Sequence, residues 1–162
     1  MKRILNLTVV ALAAILLLGN LPVMAKDRPF ALNGNGVAAF ITDGAGNPIA
    51  ADTTTTATAT HLGLCTIVSR VNFSPDPNNP GRLLSSGSGT ITAANGDTIL
   101  VEFNGALEPP EPGSTTATDR PVFHFVGGTG RFASVSGSAN SVVVLNVLTG
   151  AFEATMVGNI DY

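Results

Sequence analysis

The side chains that could do chemistry in this sequence are few and widely spaced. His61 and Cys65 lie close enough in sequence to suggest a thiol–imidazole pair, in which a histidine activates the thiol. Four residues along an extended strand span about 13 Å, however, which is too far for a hydrogen bond. We therefore interpret Cys65 as a small buried hydrophobe. Because it is the sole cysteine of the sequence, no disulfide can form within the chain.

The second histidine, His124, stands between Phe123 and Phe125. Side chains alternate across a strand, so His124 is predicted to face away from both rings and toward solvent. Two separate histidines and one cysteine do not supply the three or four ligands of a zinc site. The sequence therefore predicts no metal site and no cofactor.

The acidic side chains form no recognisable catalytic pair either. Glu102 and Glu153 could meet across a sheet, but we interpret both as residues of solvated strand faces. Asp76, Asn78 and Asn79 could offer oxygens to calcium, yet flanking prolines and the lack of a suitably spaced glutamate argue against such a site. No serine stands in the Gly-x-Ser-x-Gly frame of a hydrolase nucleophile. No catalytic residue is predicted.

Hydrophobic alternation predicts the strands that must position these residues. Residues 98–107 and 151–162 alternate apolar and polar side chains, a period typical of a strand with one buried and one wet face. Glycine and proline recur every few residues and would cut a helix short, and Asn95-Gly96 is a favoured hairpin turn. The sequence predicts an all-β fold, a single antiparallel up-and-down β-barrel of about eight strands, with a β-sandwich as the alternative.

The predicted elements divide the chain into three parts. Residues 1–25 form a signal peptide, residues 26–57 an N-terminal strand with flexible loops, and residues 58–162 the core of the barrel. Within the second part, the threonine run at 53–56 is interpreted as a solvated connection. The predicted strands are 36–42, 58–73 with a bend at Gly63, 82–86, 89–93, 98–107, 121–126, 131–139, 141–147 and 151–162, and proline-rich loops are predicted at 74–81 and 108–121.

One short motif resembles a known family. Gly127-Gly128-Thr129-Gly130-Arg131-Phe132 lies between an aromatic segment at 122–126 and a small-residue segment at 133–139. This pattern resembles the dirigent and allene oxide cyclase-like barrels, and segments 59–63 and 87–90 are also similar to small exported proteins of that superfamily. We interpret Gly127, Gly128 and Gly130 as a structural turn with positive φ. A phosphate-binding loop is disfavoured because no Gly-Lys-Ser/Thr ending follows.

The resemblance implies an eight-stranded barrel whose apolar lumen holds hydrophobic oxylipins or phenolic radicals. No acid, arginine or tyrosine of the family's active sites can be matched to a position in this sequence. We therefore expect a small exported barrel that holds a small apolar molecule without catalysis. An isomerase or cyclase of the allene oxide cyclase type, acting in the lumen, and a structural cell-surface or matrix protein remain as alternatives. The residues predicted to line the pocket are Ile99, Val101, Phe103, Phe123, Phe125, Phe152 and Met156.

Charge excludes nucleic acid as a partner. Without residues 1–25 the chain keeps six basic and eleven acidic side chains, so its net charge is −5. Its five arginines are scattered, whereas phosphate contact needs clustered cations. A small hydrophobic molecule is the expected partner, and the sequence predicts no particular oligomeric state.

The N-terminal segment predicts the compartment. Lys2 and Arg3 precede an apolar stretch at 4–18, and Val23-Met24-Ala25 offers small residues to a signal peptidase. The apolar stretch of about 15 residues is short of the ~20 that a membrane-spanning helix needs. We expect cleavage after Ala25 and a secreted or periplasmic protein with no membrane attachment afterwards.

Export with processing predicts a mature protein that begins at Lys26. Mass spectrometry of the protein recovered from the medium or the periplasm should show that residues 1–25 are missing, because small residues occupy the two positions that the peptidase reads. Retention of residues 1–25 on the recovered protein would contradict this cleavage site.

Overall fold

The structure, a computed structural model, describes residues 27–162, so the predicted signal peptide lies outside the described residues. In this part of the chain no helix has the length and apolar character needed to span a membrane. Within residues 27–162, nine antiparallel strands follow one another, with a single 3₁₀ turn at Gly130–Phe132. The strands are β1 (Arg28–Thr42), β2 (Pro48–Ala59), β3 (Gly63–Pro75), β4 (Leu83–Ala93), β5 (Thr98–Glu108), β6 (Thr116–Asp119), β7 (Val122–Gly128), β8 (Ser136–Asn146) and β9 (Ala151–Asp161).

The sheet closes on itself to form a barrel. Consecutive strands pair with each other except β6 and β7, and β9 pairs with β1 from Arg28↔Ile160 to Val37↔Ala151. β6 and β7 share one position in the wall, because both lie between β5 and β8. The barrel therefore has eight wall positions in up-and-down order. The predicted fold class is confirmed, and the sandwich alternative is wrong.

The interpretation of residues 26–57 as one strand with flexible loops is wrong, because β1 and β2 are two long strands of the wall. These strands contain many small residues, which give little hydrophobic contrast in the sequence. A Cβ on Gly34 would lie 2.5 Å from the Ala57 Cβ, and one on Gly36 would lie 2.5 Å from the Thr54 carbonyl oxygen. The run at 53–56 is part of β2 rather than a solvated connection, since Thr55 is only 4% exposed.

Four further predictions differ from the structure. The predicted strand 58–73 is two strands, separated by a turn at residues 60–62 in which His61 has a φ of +68°. The strands predicted at 82–86 and 89–93 are one strand, β4. The strand predicted at 131–139 begins only at Ser136, because the chain first makes the 3₁₀ turn, and the loop predicted at 108–121 contains β6.

The alternating faces of β5 and β9 are confirmed. On β5, Ile99, Val101, Phe103 and Leu107 are buried while Glu102 and Asn104 are exposed. On β9 the buried positions start at Phe152 and recur at every second residue except Gly158, which is half-buried. The interior of the barrel is thus built from side chains that the sequence pattern placed on one face.

The turn at 127–132 closes one end of the barrel, which we call the closed end. Thr98 and Thr129 bind each other, since the Thr98 amide donates to the Thr129 hydroxyl at 2.9 Å and the Thr129 amide donates to the Thr98 carbonyl at 2.9 Å. This hydrogen bonding places Phe132 inside, where it is fully buried and meets the Tyr162 ring edge-on at 4.8 Å. The Phe132 ring therefore fills the closed end of the barrel.

The glycines of this turn serve two different purposes. Gly130 has a φ of +57°, a conformation that few other residues adopt. Gly128 has no such φ, so the prediction of positive φ is wrong at that position. A Cβ on Gly128 would instead lie 2.2 Å from the Thr98 carbonyl oxygen and 2.8 Å from that of Phe132. Gly128 is required for close approach of two backbones.

We expect Gly128→Ala and Gly130→Val to lower the free energy of unfolding by about 1–3 kcal/mol each, through overpacking in the first case and backbone strain in the second. Chemical denaturation measures this loss. Gly44→Ala is the matched control, because a Cβ there meets nothing within 4 Å. Wild-type stability in the Gly128 and Gly130 variants would show that the turn is wrongly described.

Candidate functional site

A cavity of about 90 Å³ lies inside the barrel, away from the closed end. Its walls come from the last parts of β1, β3, β5 and β8 and the first parts of β2 and β9, so it lies toward the end of the barrel that carries the loops at 43–47, 76–82, 109–115 and 147–150. We call this the open end, because Phe40, Phe73 and Val143 are only half-buried there. The aromatic side chains of the wall are Phe40, Phe73, Phe103, Phe123 and Phe152.

The structure separates the predicted pocket residues into two groups. Four of them line the cavity: Phe103, Phe123, Phe152 and Met156. The other three, Ile99, Val101 and Phe125, are buried in the cluster that fills the closed end, where Phe125 contacts the Phe30 ring at 5.0 Å. All seven thus face the interior, but only the first group could touch a molecule in the cavity.

Asp119 brings an ionisable group to the cavity wall. It is the last residue of β6, just before the break at Arg120 and Pro121 that separates β6 from β7. The Ser85 hydroxyl donates a hydrogen bond to Asp119 Oδ1 at 3.1 Å, and Ser85 is 2% exposed. Among the residues that the structure describes, Asp119 forms no ion pair with a basic side chain.

Burial raises the pKa of the Asp119 carboxyl above its usual value. The Ser85 hydroxyl and the backbone amides of Arg120 and Ala106 favour the ionised form and offset part of that effect. The result is a carboxyl group that has hydrogen-bond donors but no positive charge to compensate it.

Sequence analysis did not find Asp119, because it lies in a proline-rich segment that reads as a loop. The sequence nevertheless contains a pattern that places Asp119 on the interior face. Ala117, Pro121, Phe123 and Phe125 are buried and Asp119 lines the cavity, so a period of two runs from 117 to 125 across the break. The chain stays in strand register while proline, which lacks an amide hydrogen, interrupts the pairing.

Two of the remaining polar side chains of the wall bind each other. Thr53 Oγ1 and Ser69 Oγ lie 2.6 Å apart across the β2–β3 pair, and Thr55 is buried on β2. The Thr53 and Ser69 hydroxyls therefore need no ligand to form a hydrogen bond. The cavity combines an apolar wall with one carboxyl group.

The histidines and the cysteine lie outside this site. Cys65 is 3% exposed and burial raises the pKa of its thiol, so its interpretation as a buried hydrophobe is confirmed. His61 lies in the turn at the closed end, with Nε2 3.0 Å from the Pro29 carbonyl oxygen. His124 is exposed on the outer face of β7, as predicted. No thiol–imidazole pair exists.

The two glutamates considered as a catalytic pair also lie outside the cavity, on the exposed face of the wall. Glu102 lies opposite Ser88 and His124 in the sheet, and Glu153 lies opposite Asn35 and Val144, so the two glutamates do not meet.

The Asp76 carboxylate binds residues of its own loop. It accepts hydrogen bonds from the Asn78 amide and Asn79 Nδ2 and pairs with Arg82 Nε at 2.9 Å. These partners, the Asn79 side chain foremost, lower the pKa of the Asp76 carboxyl. Within residues 27–162, no three His, Cys, Asp or Glu side chains group closely enough to hold a metal ion.

The partly buried carboxyl of Asp119 predicts a pH-dependent effect of Asp119→Asn. Because the pKa of Asp119 is raised by folding, its protonation stabilises the folded state, and this contribution is lost as the pH rises through the folded pKa. At pH 7 the variant should therefore have a higher Tm than wild type, and the difference should shrink as the pH falls through the raised folded pKa toward the ordinary aspartate value of 3.8, below which it changes no further.

Thermal unfolding followed by circular dichroism at several pH values measures this difference. Glu153→Gln, a change at an exposed position of β9, is the control and should leave Tm nearly unchanged at every pH. A Tm difference between Asp119→Asn and wild type that does not vary with pH would contradict the burial of an ionised group.

Comparison with solved structures finds a distant similarity. This chain is similar to a solved structure described as that of the pterocarpan synthase dirigent protein GePTS1, with 12% sequence identity and a TM-score of 0.46 over 85% of this chain and 87% of that chain. Comparison with protein-family models and with curated proteins finds no match. The similarity assigns no substrate or residue role to this chain. The closed antiparallel sheet confirms the barrel that the sequence predicted.

Proposed function

We propose that this protein is exported and holds a small apolar molecule in the open end of its barrel. The observation that carries the proposal is the cavity itself, whose wall consists largely of phenylalanine and aliphatic side chains. Eight-stranded barrels either fill their interior with side chains or leave space for one small ligand. Here the closed end is filled and the open end is not, which favours a ligand over a purely structural role.

The size of the cavity limits what it can hold. An apolar cavity of about 150 Å³ is known to bind benzene, so a volume of 90 Å³ suits a small ring or a short aliphatic group. The partly exposed wall residues at the open end leave room for the rest of a ligand to extend outward. Burial of about 300 Å² of apolar surface supplies roughly 7 kcal/mol before the cost of association, which corresponds to micromolar affinity or weaker.

A second candidate function is acid–base chemistry in the lumen. It is favoured by one observation, the carboxyl of Asp119 beside an apolar cavity, because burial moves the pKa of a carboxyl toward values useful for proton transfer. An isomerase or cyclase would use this group to move a proton on a bound substrate. Such an enzyme would lose turnover but keep binding in Asp119→Asn, whereas a binding protein has no turnover to lose.

Filling the cavity should abolish binding of a small apolar fluorescent probe. Ala154 lines the cavity and is 5% exposed, so the larger side chain of Ala154→Leu occupies the space that the probe needs. Fluorescence titration should show one site in wild type and none in the variant. Ala151→Leu, at an exposed position of the same strand, is the matched control and should bind like wild type.

Two phenylalanine variants test whether the binding site is the cavity. Phe103→Ala removes part of the cavity wall and should change probe affinity, whereas Phe125→Ala should lower stability, by about 3–5 kcal/mol, without changing affinity. Equal effects of both variants on affinity, or absence of probe binding in wild type, would contradict a ligand site and favour the structural alternative.

A further inference from the structure

We propose that the molecule held in this cavity carries an organic ammonium group, which lies against the Asp119 carboxylate. This inference rests on the proposed function, because it concerns the chemistry of the same site. It names the ligand class as a small amine attached to an apolar group.

The first support is that the Asp119 carboxylate forms no ion pair with a basic side chain of residues 27–162. The elements packed around Asp119 offer Ser85 on β4, Leu107 on β5 and Val143 on β8. None of these side chains is basic. The nearest acidic neighbour along β5, Glu108, is exposed and already paired with Arg82 at 3.0 Å.

The adjoining basic residue does not compensate the carboxylate either. Arg120 follows Asp119 in the chain, but it is exposed and forms no ion pair among the contacts of residues 27–162. Asp119 is partly buried, and a partly buried charge without a counter-ion is costly, so a ligand cation placed beside it lowers that cost. A neutral ligand would leave the Asp119 carboxylate without a counter-ion.

The second support is the aromatic wall. Five phenylalanine rings line the same cavity, and the negative face of an aromatic ring attracts an ammonium group when water is excluded. The rings also bind the apolar part of the ligand, so both halves of an aromatic or aliphatic amine meet suitable surfaces. The net charge of −5 without residues 1–25 attracts cations toward the protein and repels anions.

The test compares benzylamine with benzyl alcohol, which has nearly the same shape but no charge. Isothermal titration calorimetry of the purified protein at pH 7 should show that benzylamine binds at least about tenfold more tightly. Asp119→Asn should abolish this preference while keeping the binding of benzyl alcohol. Glu102→Gln, which removes an equal charge from the outer face of β5, is the matched control and should keep the preference.

A second arm needs no variant, so the test stands even if Asp119→Asn does not fold. Lowering the pH from 7 to about 4 protonates part of the Asp119 population, whose pKa is raised by burial, while benzylamine stays cationic. The preference of wild type for the amine should therefore decline, with little change in the affinity for the alcohol.

Each outcome decides a different point. If benzyl alcohol binds in the cavity and benzylamine binds no more tightly, the ammonium inference is wrong and the proposed function stands. A preference that survives in Asp119→Asn, or that disappears in Glu102→Gln, also overturns the inference, since the charge responsible would then lie elsewhere. If neither compound binds, both the inference and the proposed function fail.

Discussion

Closure of the sheet between the first and last strands is the constraint on which the rest of the structure depends. The pairing of β1 with β9 gives every wall strand two neighbours, so no long edge is left to pair with another chain. It also encloses an interior that side chains must fill or leave empty. At the closed end Phe30, Phe125 and Phe132 fill it, together with aliphatic residues of β4 and β5. At the open end the apolar side chains leave a cavity beside Asp119.

The parts of the barrel that sequence analysis predicted are those in which large apolar residues alternate with polar ones. β5 and β9 have this pattern, and their faces are as predicted. The middle of β1 lacks it because Gly34 and Gly36 leave no room for a side chain, as the overlap of a Cβ at Gly34 with Ala57 shows, and β2 consists largely of alanine and threonine. A strand built from glycine, alanine and threonine has the geometry of its neighbours but little hydrophobic contrast, so its sequence resembles that of a loop.

The candidate site was predictable only in its apolar half. Alternation placed Phe103, Phe123 and Phe152 on interior faces. It could not show that these rings line a cavity whereas Phe125 packs against the Phe30 ring. That distinction depends on which side chains of non-adjacent strands meet, and a single strand's sequence does not contain it. Asp119 was missed because the break before Pro121 hides the strand that carries it. The interior charge thus arises from an irregularity in the wall, which is where closed sheets commonly place polar groups.

A crystal of this protein placed under xenon pressure shows whether the open end of the barrel is empty, because xenon occupies empty apolar cavities without needing a specific ligand. We expect xenon density in the open end, in contact with Phe103, Phe152 and Met156, and none in the closed-end cluster around Phe132. Absence of xenon from the open end, with the phenylalanine rings packed against one another, would show that no cavity exists there. The barrel would then be solid throughout.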